Sequence, residues 1–109
     1  MSRVIAARLG DIAVLTLDNP PVNGFGWAQR RLLVEAIDAA AADPSVVGIV
    51  VTGAGALFSG GADIREFGRP DAMASPHLLD VIAVAEGCAK PVVAAINGTC
   101  MGGALEFAL

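Results

Sequence analysis

An α/β fold with parallel later strands is predicted by three observations on this 109-residue sequence. Apolar runs of strand length alternate with segments of helical period, in the order β-β-α-β-α-β-α. The two later strand runs, "VVGIVVT" (46–52) and "VVAAI" (92–96), are continuously apolar, as buried strands covered on both faces read. Each is followed by a glycine-rich loop and then a helical segment, the alternation of an α/β sheet.

The first two strands are "VIAARL" and "IAVLTL", separated by Gly10-Asp11, a two-residue hairpin signal. "DNPPVNGFG" is a loop, because Pro20-Pro21 is incompatible with helix or central strand. From Trp27 to about Ala42 the period is helical. Leu33, Ile37 and Ala40 share one face there, and Arg31 stands four residues before Glu35 on another. "DPSV" ends that helix, and the run 46–52 follows. Ser75-Pro76 offers an N-cap with Pro at the first helical position, and the helix runs to about Glu86, with Gly87 as its stop. "VVAAI" and "NGTCMGG" then lead into a terminal helix. The sequence stops at "GGALEFAL" without a helix-end signal, so residues 1–109 are expected to be the amino-terminal part of a longer single domain.

Composition narrows the function classes. The chain is 55% hydrophobic and 17% charged, which demands a packed core. Net charge is −4 and no basic run exceeds Arg30-Arg31, so a nucleic-acid footprint is missing. No window approaches the roughly 18 apolar residues of a membrane span. The start "MSRVIAARLGD" has no signal layout, and a cytoplasmic location is expected. Cys88 and Cys100 lie outside any CxxC spacing and read as unpaired small hydrophobes. No cluster supports a metal site.

Ligands of open α/β sheets bind beyond the carboxyl ends of the strands, where loops 53–63 and 98–103 both fall. Gly53 and Gly55 begin a dinucleotide-type G-x-G-x-x-G, but Phe58 takes the third glycine's place and no helix follows. No P-loop is present either. Gly102 and Gly103 stand where the terminal helix begins, so their N–H groups lack intrahelical partners and can bind an oxyanion. Glu106 lies one turn beyond Gly103 on the same face, towards the space those amides address. Two roles fit Glu106: a capping side chain, or a proton carrier beside amides that stabilise an enolate.

"FSGGADIREF" and "INGTCMGGALEFAL" at this separation, with "NPPVNGF" before them, resemble the crotonase (enoyl-CoA hydratase/isomerase) superfamily. The similarity is greatest to the hydratase/isomerase half of bifunctional fatty-acid oxidation enzymes, and it runs from about Arg3 to Leu109. The resemblance implies a spiral of β-β-α units. It also implies an oxyanion hole made by the backbone N–H groups of Ala62 and Gly103, and a catalytic role for Glu106. Ser59, Gly60, Gly61, Ala62, Asp63, Ile64 and Gly102 would lie along the acyl-CoA path. The second glutamate of hydratases would fall about 20 residues beyond Glu106. Gly60 stands where the family more often has alanine, which is expected to loosen the first loop, and Ala104 stands where a third glycine is frequent.

The expected reaction is hydration of a trans-2-enoyl-CoA in fatty-acid β-oxidation, with coenzyme A entering as part of the substrate and no separate cofactor. NAD enters only if a dehydrogenase domain follows. Double-bond isomerisation is the related alternative, and a non-catalytic CoA-binding or assembly module is the alternative of another class. Relatives of single function suggest a trimer-based homo-oligomer. The 109-residue piece alone is expected to be inactive. Asp63 has capping-box spacing to Glu66 and is expected to cap a short turn. His77 is read as a helix-end residue, Trp27 as packing at its helix start, and Arg3, Arg65 and Arg69 as solvated.

Overall fold

The computed structural model describes residues 2–109, and of Asp71 the backbone alone. Its elements are β1 (Arg3–Leu9), β2 (Ile12–Asp18), α1 (Trp27–Ala42), β3 (Gly48–Gly53), β4 (Leu57–Ser59), α2 (Leu78–Gly87), β5 (Val92–Ala95), β6 (Thr99–Cys100) and α3 (Gly102–Ala108). Two 3-10 turns, Ile64–Glu66 and Pro70–Met73, lie between β4 and α2.

β1 and β2 form the expected antiparallel hairpin, in register from Arg3↔Asp18 to Leu9↔Ile12. Gly10 turns it at φ +63°, a conformation that two-residue turns require. β3 runs parallel to β2 and β5 parallel to β3, so the four-stranded order is β1-β2-β3-β5. Along β2, Ala13, Leu15 and Leu17 are buried while the alternate residues are half-buried, the period-2 signature of one covered face. Leu15, Leu17, Ile49 and Val51 of the sheet share the core with Leu33 and Ile37 of α1. Full burial of such a side chain contributes about 1.5–3 kcal/mol. The C-terminal end of α1 is held by Lys90, whose ammonium donates to the carbonyls of Ala40 (2.9 Å) and Asp43. Arg31 pairs with Glu35 at 2.9 Å, as their spacing predicts.

Three expectations need correction. β5 is not buried: as the last strand of the sheet it has an open edge, and its residues alternate between half-buried and exposed. α2 begins two residues later than expected, with His77 as N-cap and its N–H donating to the Asp80 carboxylate at 2.7 Å. The Ser75-Pro76 bond is cis, and both residues precede the helix. β4 and β6, which pair parallel in a second small sheet, have no counterpart in the sequence reading. Among the described residues no helix is long and apolar enough to cross a membrane.

Candidate active site

The small β4–β6 sheet brings the two glycine loops together. Leu57 pairs with Thr99 and Ser59 with Cys100, and the Met101 N–H donates to the Ser59 carbonyl at 3.1 Å. Beyond this point the backbones touch: a Cβ on Gly61 would lie 2.8 Å from the Met101 carbonyl oxygen. Gly98 is equally constrained, since a Cβ there would meet the Ala56 carbonyl oxygen at 2.1 Å. Gly61 and Gly98 thus serve close backbone-to-backbone contact between the two loops and their neighbours.

Two side-chain amides, the buried Asn23 and the exposed Asn97, brace the approach to this junction. Asn23, in the left-handed region at φ +53°, donates its side-chain amide to the carbonyls of Ala54, Leu57 and Phe58 at 3.2–3.3 Å. Asn97 accepts from the Gly53 N–H (3.0 Å) and donates to the carbonyls of Gly53 (2.9 Å) and Gly55 (3.2 Å). Neither side chain was singled out from sequence. Their targets lie 31 to 44 residues away along the chain, and no local spacing reports such a bond.

Within the first loop the N–H groups are disposed of one by one. Gly60 donates to the Val22 carbonyl at 2.8 Å, and Gly61 donates to the Ser59 hydroxyl at 3.1 Å. The N–H of Ala62 has no acceptor among the described residues, and neither does that of Gly103 in the first turn of α3. Ala62 and Gly103 line one cavity of about 330 Å³, together with Phe25, Arg30, Met73, Leu78 and Leu79. A second cavity of about 590 Å³ shares Ala62 and Phe25, and Asp63, Phe67 and Arg69 also line it. Gly60 does not loosen the loop. Its N–H is bonded, and a Cβ there would crowd the Val22 side chain at 3.2 Å.

The acidic residues differ in placement. Glu106 stands on α3 one turn after Gly103; it is exposed, does not line the 330 Å³ cavity, and has no hydrogen-bond or ion-pair partner among the described residues. Asp63 caps the 3-10 turn by accepting from the Arg65 N–H at 3.0 Å, and it binds the Arg65 guanidinium at 2.7 Å. That guanidinium holds the Asp63 carboxyl below the usual range, so the two groups form an ion pair rather than a solvated arginine beside a cap. Glu66 does not return to Asp63 as a capping box. It reaches across to the Trp27 N–H (2.8 Å) and caps α1 instead. Ile64 is largely exposed, and Gly102 is exposed at φ +55°.

Arg30 is the functional surprise. It is buried on α1, lines both cavities and donates to the carbonyls of Phe25 (2.8 Å), Ala72 (3.1 Å), Ala74 (3.4 Å) and Pro76 (2.7 Å). Glu66 lies 4.0 Å away as its counter-charge. One guanidinium therefore ties the wall segment 72–76 to α1. Trp27 packs at its helix start as expected, under Arg31 and with its indole N–H on the Ser75 carbonyl at 2.8 Å. Burial pushes the Cys100 thiol up, so nothing activates it as a nucleophile.

A family model described as enoyl-CoA hydratase/isomerase covers residues 8–109, and the chain belongs to that family. It is 43% identical over 98 residues to the "Peroxisomal bifunctional enzyme" of Danio rerio, covering 90% of this chain and 13% of that protein. It is 38% identical over 106 residues to the "Probable enoyl-CoA hydratase" of Bacillus subtilis, covering 90% of this chain and 40% of the relative. Among solved structures, an enoyl-CoA hydratase/carnithine racemase from Magnetospirillum magneticum superposes with TM-score 0.84 at 34% identity, over 99% of this chain and 43% of that one. The chain thus spans less than half the length of each, and it has the crotonase-type fold over nearly all of its residues. Several relatives are named peroxisomal or glyoxysomal, so the cytoplasmic expectation gains nothing from them.

Proposed function

We propose that the protein carrying this chain hydrates trans-2-enoyl-CoA thioesters to 3-hydroxyacyl-CoA in fatty-acid β-oxidation. The observation that carries this reading is the pair of unpartnered N–H groups, Ala62 and Gly103, on one cavity. A thioester oxygen placed about 3 Å from both amides is polarised, and the negative charge that develops as the enolate forms is stabilised there. Water adds its oxygen to carbon 3 and carbon 2 takes a proton, so one acid/base group must accept a proton and one must deliver it. Glu106 is one of these groups. α3 holds it three residues after Gly103, one turn on, where its side chain is exposed outside the 330 Å³ cavity. The other belongs to a part of the domain beyond these residues.

The exposed apolar side chains of Phe67, Met73 and Leu79 surround the same cavities and suit an acyl-CoA substrate better than a small polar one. Coenzyme A enters as part of the substrate, with no separate cofactor. A cytoplasmic location and a trimer-based homo-oligomer belong to the same reading, checked by cell fractionation and by sedimentation of the intact protein.

Glu106→Gln in the intact protein tests the assignment. Turnover is expected to fall about a hundredfold or more, with binding of a saturated acyl-CoA retained. Unchanged turnover removes Glu106 from the chemistry. Lost binding together with lost turnover assigns it to substrate binding instead.

A further inference from the structure

We infer that the Ser59 hydroxyl is a positioning group that selects and aims the Ala62 amide; this inference rests on the oxyanion reading above. Ser59 is fully buried at the end of β4. Its hydroxyl donates to the Asn23 carbonyl at 2.6 Å and accepts from the Gly61 N–H at 3.1 Å. It thus joins the "PPVN" segment to the turn of the first loop through both of its hydrogen-bonding functions.

The consequence for Ala62 follows from peptide geometry. A trans peptide is planar, with its C=O and N–H pointing in opposite directions. The N–H of Ala62 shares a plane with the carbonyl of Gly61, and that carbonyl accepts from the Phe25 N–H at 2.7 Å. Fixing the Gly61 oxygen towards Phe25 therefore turns the Ala62 N–H the opposite way. The preceding plane is fixed by the bond from Gly61 N–H to Ser59. With both planes held, Gly61 is fixed at φ +100°, and loss of either bond widens the range a glycine can adopt there. Of the three consecutive N–H groups at 60–62, the Val22 carbonyl takes the first and the Ser59 hydroxyl the second. The third alone is presented to a ligand.

Ser59 touches no ligand in this scheme; it acts through the backbone. Removing its hydroxyl frees the Gly61 N–H to compete for the thioester oxygen and releases the plane that aims Ala62. The expected result is weaker carbonyl polarisation with little change in binding, because the coenzyme A moiety contacts other groups. A misaimed donor costs less than a deleted one, so the loss in kcat is expected to be about ten- to a hundredfold.

The test is a bound chromophore in the intact protein. A cinnamoyl-CoA with a para-dimethylamino group absorbs at longer wavelength when its thioester oxygen accepts hydrogen bonds. The wild-type protein is expected to shift this band to the red. Ser59→Ala is expected to shrink the shift and lower kcat about ten- to a hundredfold, with KM little changed. Ser59→Cys keeps the side-chain length but offers a much weaker acceptor, and it gives the same comparison should the alanine variant fail to fold. Ser59→Thr, which keeps the hydroxyl, is expected to recover more of the shift than cysteine does. A full shift in both the alanine and cysteine variants, or in the cysteine variant alone if only that folds, overturns the positioning role and leaves the oxyanion reading standing. The absence of any shift in the wild-type protein removes the oxyanion reading itself.

Discussion

Gly61 occupies φ +100° with the Met101 carbonyl oxygen 2.8 Å from the place a Cβ would take. Gly61→Ala meets two obstacles at once, a left-handed backbone and a backbone atom that cannot rotate away. A loss of about 2–4 kcal/mol is expected, read as a lower denaturation midpoint, with weakened acyl-CoA binding as the loops part. A variant as stable as wild type would mean that the loops separate without cost. Asp63, in the same loop, gives a pH-dependent expectation. Its hydrogen bonds from the Arg65 side chain and N–H lower its folded pKa below the unfolded value of about 3.9. The pair therefore adds stability at neutral pH, and the contribution is lost as pH falls below about 4 and through the folded pKa. Melting temperature against pH should show a shallower acid limb in Asp63→Asn than in wild type. Identical limbs would assign the acid sensitivity to other carboxylates, Asp43 first among them, since the Ser45 hydroxyl lowers it in the same direction.

At the scale of elements, α1 does more than cover the sheet. Through Arg30 it holds the segment 72–76, which supplies Ala72 and Met73 to the cavity walls. Arg30→Lys keeps the charge but cannot reach four diverging carbonyls from one ammonium. A loss of about 2–4 kcal/mol in chemical denaturation is expected, with faster proteolytic cleavage within residues 67–77. Cleavage at the wild-type rate would show that the segment is held by something other than this arginine. The sequence made α1 legible to the residue because a helical period ran between Gly26 and Asp43-Pro44, with nothing competing. Arg30 went unread because three of its four carbonyl partners come from a segment 42 to 46 residues away, which leaves no trace in residue identity. β4 and β6 escaped for a different reason. Strands of 3 and 2 residues are too short to show alternation, although they bring the two glycine motifs into contact. The motifs carrying Ala62 and Gly103 were visible; the hydrogen bonds that decide which amides stay free were not.

The whole molecule is asymmetric in how its sheet ends. β1 closes one side of the four-stranded sheet and β5 the other, and among the described residues β5 pairs with β3 alone. An apolar run reads the same whether one face or two are covered, which is why "VVAAI" suggested a buried strand. In the structure Val92 and Ala94 border a small cavity with Phe107 and Ala108 of α3, while Val93 is 55% exposed and Ile96 beyond the strand 51%. An open edge with apolar side chains beside it is a template for pairing with another chain. The 109-residue polypeptide alone is therefore expected to self-associate as its concentration rises. Val93→Lys places a charge beside that edge without touching the core, so it should keep the fold while shifting association to concentrations about tenfold higher. Sedimentation velocity over a range of concentrations distinguishes the outcomes. Association unchanged by the lysine would locate the contact elsewhere, with exposed Leu79 and Phe67 at the cavity mouth the next surface to alter. A species monomeric throughout would show that four residues of open backbone are too short to recruit a partner strand.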